Sequence, residues 1–311
     1  MKKLVAALLL CVTGLLALNV ALAECTTTVM VYMCGSDLET QSDQATADIN
    51  EMIDAAFDTR YTNVVMMLSG SKTTNSWFSE ERTSIWEIGR KGAILLEQQD
   101  ARNMGDSGTL RYFLNFAHER YASDRYILIF WDHGGGPLRG VCWDEVYSPD
   151  NLTMQELTEA LADSPFAARK LDMIGFDACL MGSLEVAWML APYADYMIAS
   201  EEMEPGEGWD YVFLRGIEQD ETVADTGRRI VDSYFEAPAG NASHDLTLAC
   251  VDLREIPSVV EAMSGFFDSM VNEVVQDTFR KLSMARRTSH DFGRWVRASD
   301  SSGYDLVDGR R

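Results

Sequence analysis

Two segments of the chain run from an apolar stretch straight into a reactive side chain: Ile127-Leu-Ile-Phe-Trp-Asp-His133-Gly-Gly-Gly136 and Asp172-Met-Ile-Gly-Phe-Asp-Ala-Cys179-Leu-Met-Gly182. A His and a Cys at the carboxyl ends of neighbouring strands are the minimal parts of a cysteine nucleophile and its proton-transfer partner. In open α/β sheets that end is also where loops converge and ligands bind. Gly134, Gly135 and Gly136 let the backbone approach a substrate closely and can turn an amide toward a developing oxyanion. A helix beginning at Leu180 would set Cys179 against unpaired amides, which favours the thiolate and lowers the thiol pKa. The plainer alternatives are a cysteine filling the core and a histidine serving a glycine turn.

Elements that could position this pair are readable from periodicity. Apolar or alternating runs at Thr28 to Met33, Asn63 to Leu68, Ser84 to Ile88, Tyr126 to Trp131, Leu171 to Phe176, Tyr196 to Ala199 and Leu246 to Val251 predict strands, several of them buried on both faces. Helical spacing covers Ala45 to Phe57, Leu110 to Tyr121, Met154 to Ala162, Leu180 to Ala191, Val223 to Phe235 and Ile256 to Phe279. Strands alternating with helices predict an α/β fold, a three-layer α/β/α sandwich around a largely parallel sheet. Thr153 and Glu156 have capping-box spacing before Leu157, and Asp106-Ser-Gly-Thr prepares the entry to the helix at Leu110. No repeat, low-complexity tract or Pro-rich linker divides the chain, so residues 24–311 are expected to form one domain.

Composition narrows the setting. Met1-Lys2-Lys3, the apolar run Leu4 to Ala17 and the small residues Ala21-Leu22-Ala23 have the parts of a secretory signal peptide, with cleavage expected after Ala23. An uncleaved anchor and a lipoprotein built on Cys25 are the alternatives; the acidic Glu24 sits where a lipoprotein site needs a small residue. No later stretch approaches the length of a membrane span. The expected location is secreted or periplasmic. Forty-nine acidic residues against 26 basic ones give a formal charge of −23. Nucleic acid and anionic membranes are thus not expected partners, whereas a basic peptide or protein would be attracted. Of six cysteines, Cys11 lies in the leader; the remaining five leave one thiol without an intramolecular mate, and their spacing forms no zinc-type cluster.

Four segments in order, Asp132-His-Gly-Gly-Gly136, Gly140-Val-Cys-Trp-Asp144, Gly175-Phe-Asp-Ala-Cys-Leu-Met181 and Ala199-Ser-Glu-Glu-Met-Glu-Pro-Gly206, resemble the clostripain family of cysteine peptidases, relatives of caspases, gingipains and legumains. The resemblance runs from about Thr27 to the end of the chain. It implies a caspase-like fold, with Cys179 as nucleophile and His133 as proton donor to the leaving amine. It also implies an oxyanion held by the backbone amides of Gly134 and Cys179, and hydrolysis through a thioester.

The family is known for cleaving after Arg, and sometimes Lys. Asp177 lies two residues before Cys179, so strand alternation sends both side chains to the same side. Its carboxylate there would pair with a guanidinium or ammonium at the residue before the scissile bond; a helix cap before Leu180 is the structural alternative. Ser200, Glu201, Trp209 and Asp210 are expected to line the same substrate site, and Glu201, Glu204, Glu207 or Asp210 to supply a second acidic contact. No cofactor is expected. Calcium dependence occurs in some members, but no Asp-x-Asp-x-Asp-Gly loop is present to assign a site.

Two departures from the family stand out. The loop Asp144 to Asn151 has no Lys or Arg, so self-cleavage there by a basic-specific enzyme is not expected, although Arg139 and Arg169 flank the region. Relatives continue beyond the motif that Gly303-Tyr-Asp-Leu-Val-Asp308 resembles, and part of a C-terminal helical region is expected to be missing. Two other functions compete. An α/β-hydrolase with a cysteine elbow would need Gly-x-Cys-x-Gly spacing and His244 or His290 as its base. A catalytically weak exported module could instead bind basic peptides in the same acidic pocket.

Overall fold

The computed structural model describes residues 26–148, 150–218, 221–237, 246–272, 276–293 and 306–307. The leader with its cleavage point, Cys25 and His244 lie outside them. The main elements among the described residues follow in chain order. They are β1 (Thr27–Cys34), α1 (Ser36–Ser42), α2 (Gln44–Asp54), β2 (Thr62–Ser69), β3 (Arg82–Gly89), β4 (Gly92–Asp100), α3 (Ser107–Arg120), β5 (Arg125–Trp131), the single turn α4 (Gly136–Arg139), β6 (Val141–Asp144) and β7 (Asp150–Leu152). After these come α5 (Met154–Ala162), β8 (Leu171–Asp177), α6 (Leu184–Leu190), β9 (Ala194–Ala199), α7 (Val223–Glu236), β10 (Ala249–Asp252), α8 (Ile256–Asn272) and α9 (Gln276–Thr288). Leu306–Val307 pairs antiparallel with Asp291–Phe292.

Eight strands make one sheet in the order β10-β9-β8-β5-β1-β2-β3-β4. Strands β9, β8, β5, β1 and β2 run parallel, and β3, β4 and β10 are antiparallel additions at the edges. Strand alternation divides the core in two. Met30, Tyr32, Leu128 and Phe130 pack on the face covered by α3, α5, α6 and the start of α8. Val29, Val31, Ile127 and Ile129 pack on the other face, under α2 and α7. This is the expected three-layer α/β sandwich, and the continuous apolar runs of β1 and β5 follow from burial on both faces.

The chain leaves β1 toward β2 on one side and leaves β5 toward β8 on the other. That reversal opens a crevice at the carboxyl ends of β1, β5 and β8, the place where open α/β sheets bind ligands. Local signals fix the surrounding helices: Asp106 caps α3 through the amides of Gly108 and Thr109, and Thr153 with Glu156 closes a capping box on α5. Each cap contributes about 1 kcal/mol. The run predicted as one helix from Ile256 to Phe279 is helical over Ile256–Asn272 and again from Gln276, with residues 273–275 outside the described ones. One expected boundary shifts: the helix predicted from Leu180 begins at Leu184, capped by Ser183.

Candidate active site

His133 follows β5 and Cys179 follows β8, on adjacent parallel strands in register through Trp131 and Asp177. The turn Gly134-Gly135 brings the two loops together. A Cβ on Gly134 would lie 2.1 Å from the Cys179 carbonyl oxygen, so only glycine permits this approach. Gly134 also bridges to Val141, and the His133 carbonyl accepts from the Cys142 amide. The Trp143 ring stands edge-on to the His133 imidazole at 6.3 Å. His133 Nε2 is 2.7 Å from Oδ1 of Asp37, the second residue of α1.

The nucleophile candidate sits differently from the sequence expectation. Leu180 adopts a left-handed φ of 65°, and the amides of Leu180 and Gly182 bond the carbonyls of Glu202 and Ser200. These amides are therefore spent on the loop after β9 and do not face the sulfur. The Cys179 Sγ accepts from the Glu204 amide at 3.2 Å. Burial, and then the neighbouring Glu204 charge, push the thiol up to about 12. The expected helix-stabilised thiolate is thus replaced by a neutral thiol at rest, because the helix starts four residues too late to serve it.

Asp177 is 4% exposed. Its Oδ1 accepts from the Trp209 amide at 3.1 Å and its Oδ2 from the Tyr211 hydroxyl at 3.0 Å. It caps the returning 208–211 turn and not a helix before Leu180. Gly208, at φ 61°, is the point of closest approach: a Cβ there would meet Asp177 Oδ1 at 2.7 Å. Glu204 turns its carboxyl into the same enclosed space, where both oxygens are shielded from solvent and lack a well-directed donor. Its neighbours are the Asp177 carboxyl and the Trp209 indole. Burial raises both acids; the Asp177 charge raises Glu204 further, whereas a hydrogen bond from Glu204 lowers Asp177, so the proton the two carboxyls share is held by Glu204.

A scan against family models matches residues 31–308 to Peptidase C11, the clostripain family. The chain belongs to the clostripain family. Clostripain of Hathewaya histolytica is 25% identical over 346 residues, covering 90% of this chain and 64% of the relative. This clostripain-family chain thus spans less than two thirds of that protein's length. Among solved structures, a secreted C11 cysteine protease from Bacteroides thetaiotaomicron bound to an irreversible peptide inhibitor superposes with a TM-score of 0.64 at 24% identity, over 76% of this chain and 69% of that one. An inactive zymogen C11 protease from Parabacteroides distasonis gives 0.59 at 22% identity, over 76% and 65%. Those two likenesses bear on the fold, which is the caspase-like sandwich expected.

Within this family member, the remaining predicted residues take distinct places. Ser200 is fully buried, its hydroxyl shared between the Glu202 carbonyl and Thr247. The amide of Glu201 bonds the same Thr247 hydroxyl, while Asp210 caps the following turn through the Val212 amide. The Trp209 ring lies against the β8 backbone at Gly175, where a Cβ would come within 2.7 Å of it. These side chains build the loop around the acidic pair. Of the four acids left open for the second contact, Glu204 is the one beside Asp177. A cavity of about 370 Å³ on the outer side of this loop is lined by Glu51, Asp54, Glu207, Trp209, Asp210 and Tyr234; neither His133 nor Cys179 lines it.

Asp37 was not legible as a site residue. Its one signal is position, an acid three residues beyond the end of an apolar strand at the carboxyl edge of the sheet. The free cysteines Cys34 and Cys142 are buried in the core, and Cys250 is partly buried; among the described residues no disulfide forms. No helix among the described residues is long and apolar enough to cross a membrane.

Proposed function

We propose that the chain is an exported cysteine endopeptidase that hydrolyses peptide bonds after Arg or Lys without a cofactor. The observation that carries this reading is the placement of Glu204, whose amide touches the Cys179 sulfur while its carboxyl joins Asp177 in a buried acidic pair. A basic side chain seated on that pair puts its own carbonyl beside Cys179.

In the proposed mechanism, Cys179 Sγ attacks the carbonyl carbon as His133 takes the thiol proton. The proton leaves the sulfur during attack because the resting thiol titrates near 12. The tetrahedral oxyanion is held by the amides of Gly134 and Cys179, preorganised by the contact of Gly134 with the Cys179 backbone. His133 then donates the proton to the departing amine, leaving a Cys179 thioester. Water attacks that thioester, with His133 accepting a proton and returning it to the sulfur as the acid product leaves.

Turnover of fluorogenic peptides ending in Arg, Lys, Asp or Leu, with a Cys179→Ala control, tests the proposal. Cleavage of the Arg and Lys peptides alone, lost in the control, is the expected result. Absence of turnover, or turnover that survives the substitution, overturns it.

A further inference from the structure

The junction between β1 and α1 is buried and tightly constrained. A Cβ on Gly35 would lie 2.7 Å from the Phe78 ring and 2.9 Å from the Ser71 Cβ, so the chain can pass there only as glycine. Ser36 is held at φ 46°, a left-handed conformation that strains a non-glycine residue. What fixes it is Asp132, the residue before His133: Ser36 Oγ donates to Asp132 Oδ1 at 2.5 Å, and the Trp143 amide donates to Asp132 Oδ2 at 2.6 Å. The next residue, Asp37, is thereby carried to His133 Nε2 at 2.7 Å. Gln41 Nε2 donates to its other oxygen at 3.2 Å.

We propose that Asp37 is the positioning residue for His133, fixing its tautomer and ring orientation; the inference rests on the peptidase reading above. A carboxylate only accepts hydrogen bonds, so the Asp37 contact requires Nε2 to carry the hydrogen. Nδ1 is left as the nitrogen that exchanges a proton with the thiol and the leaving amine. Asp37 also compensates the imidazolium formed when His133 holds the thiol proton. As an isolated pair of half-exposed groups, Asp37 and His133 would add little to stability. The constrained turn gives the contact another purpose: strain at Ser36 and the tie to Asp132 couple the position of Asp37 to the backbone that carries His133.

The full chain with Asp37→Ala, Asp37→Asn and Asp37→Glu tests this on two independent readouts. Nitrogen NMR of the His133 ring, assigned with a His133→Gln variant, is expected to show the Nε2–H tautomer in the parent and a mixture in Asp37→Ala. On an Arg fluorogenic peptide, kcat of Asp37→Ala is expected to fall roughly 10- to 100-fold, part of the effect of an acid–base group, with KM within about twofold. Asp37→Glu should recover part of kcat. An unchanged tautomer, an unchanged kcat, or equal loss of kcat, substrate binding and melting temperature in all three variants overturns the inference. Should the parent cleave no peptide at all, the peptidase reading fails, while the tautomer comparison still decides whether Asp37 fixes the ring.

Discussion

The backbone amide of Glu204 donates to the sulfur of Cys179 at 3.2 Å, and the carboxyl of the same residue is buried beside Asp177. One residue of the loop after β9 therefore touches both Cys179 and Asp177. Charge at the pair is felt at the sulfur, and a cation bound there relieves it.

Reactivity of the free thiol follows from that link. With the thiol raised to about 12 against about 8.5 for an ordinary cysteine, iodoacetamide at pH 8 should alkylate Cys179 roughly a thousandfold more slowly than a free thiol. Glu204→Gln removes the second-largest cause of the shift and should speed alkylation of Cys179 by several-fold, read by peptide mass spectrometry. Turnover of Arg peptides should move the opposite way. If both rates fall together, the loop has lost its shape and the electrostatic link is not supported.

Specificity should reside in the pair. Asp177→Asn keeps one acceptor oxygen for the Trp209 amide, and its NH2 can donate to the Tyr211 hydroxyl in place of the bond Asp177 accepted, while the charge is removed. It should lower kcat/KM on Arg and Lys peptides by about 10²-fold, near 2.7 kcal/mol of transition-state stabilisation. Any slow cleavage of a Leu peptide should be spared. Equal loss on basic and apolar peptides would instead make Asp177 a cap for the 208–211 turn and nothing more.

Binding of a cation should also release a proton. Burial raises both carboxyls and the Asp177 charge raises Glu204 further, so the unoccupied pair keeps its shared proton to higher pH than an ordinary acid does. A guanidinium favours the fully ionised pair; affinity therefore weakens as pH falls through the pair's titration. Calorimetry of arginine amide in phosphate and in Tris measures the released proton as a buffer-dependent enthalpy. Identical enthalpies in both buffers at pH 6 would exclude a shared proton.

The sheet was legible because its central strands are buried on both faces and read as unbroken apolar runs, as in Val29 to Met33 and Ile127 to Trp131. Strand β4 escaped because it is a solvent-facing edge whose Ile94 and Leu95 remain exposed, leaving no alternation to detect. At the site, His133, Cys179 and Asp177 announce themselves by sitting at strand ends beside glycines. Their electrostatics do not. The thiol is raised by burial and then by the Glu204 charge, and Glu204 is brought to it from the loop after β9, about twenty-five residues away in sequence. Likewise, choosing Glu204 over Glu201, Glu207 and Asp210 requires knowing which side chain the loop turns inward. Asp37 and His133 are 96 positions apart, and no local pattern joins them.

The turn at Gly134 offers a steric test of the proposed oxyanion site that is independent of charge. At Gly134 an added Cβ would fall 2.1 Å from the Cys179 carbonyl oxygen and 3.1 Å from the Ala178 Cβ; the first of these is backbone and cannot swing away. Gly134→Ala must push the His133 and Cys179 loops apart. The expected cost is about 1–3 kcal/mol of stability, as for other overpacked sites. Activity on Arg peptides should fall by at least about 10²-fold, since an oxyanion donor is displaced with the turn. Gly265 in α8 is the matched control: an added Cβ there meets nothing within 4 Å, so Gly265→Ala should hold or raise the melting temperature and leave turnover intact. Thermal melts and kinetics on the two variants decide the matter, and a Gly134→Ala protein with parental activity would remove Gly134 from the oxyanion site.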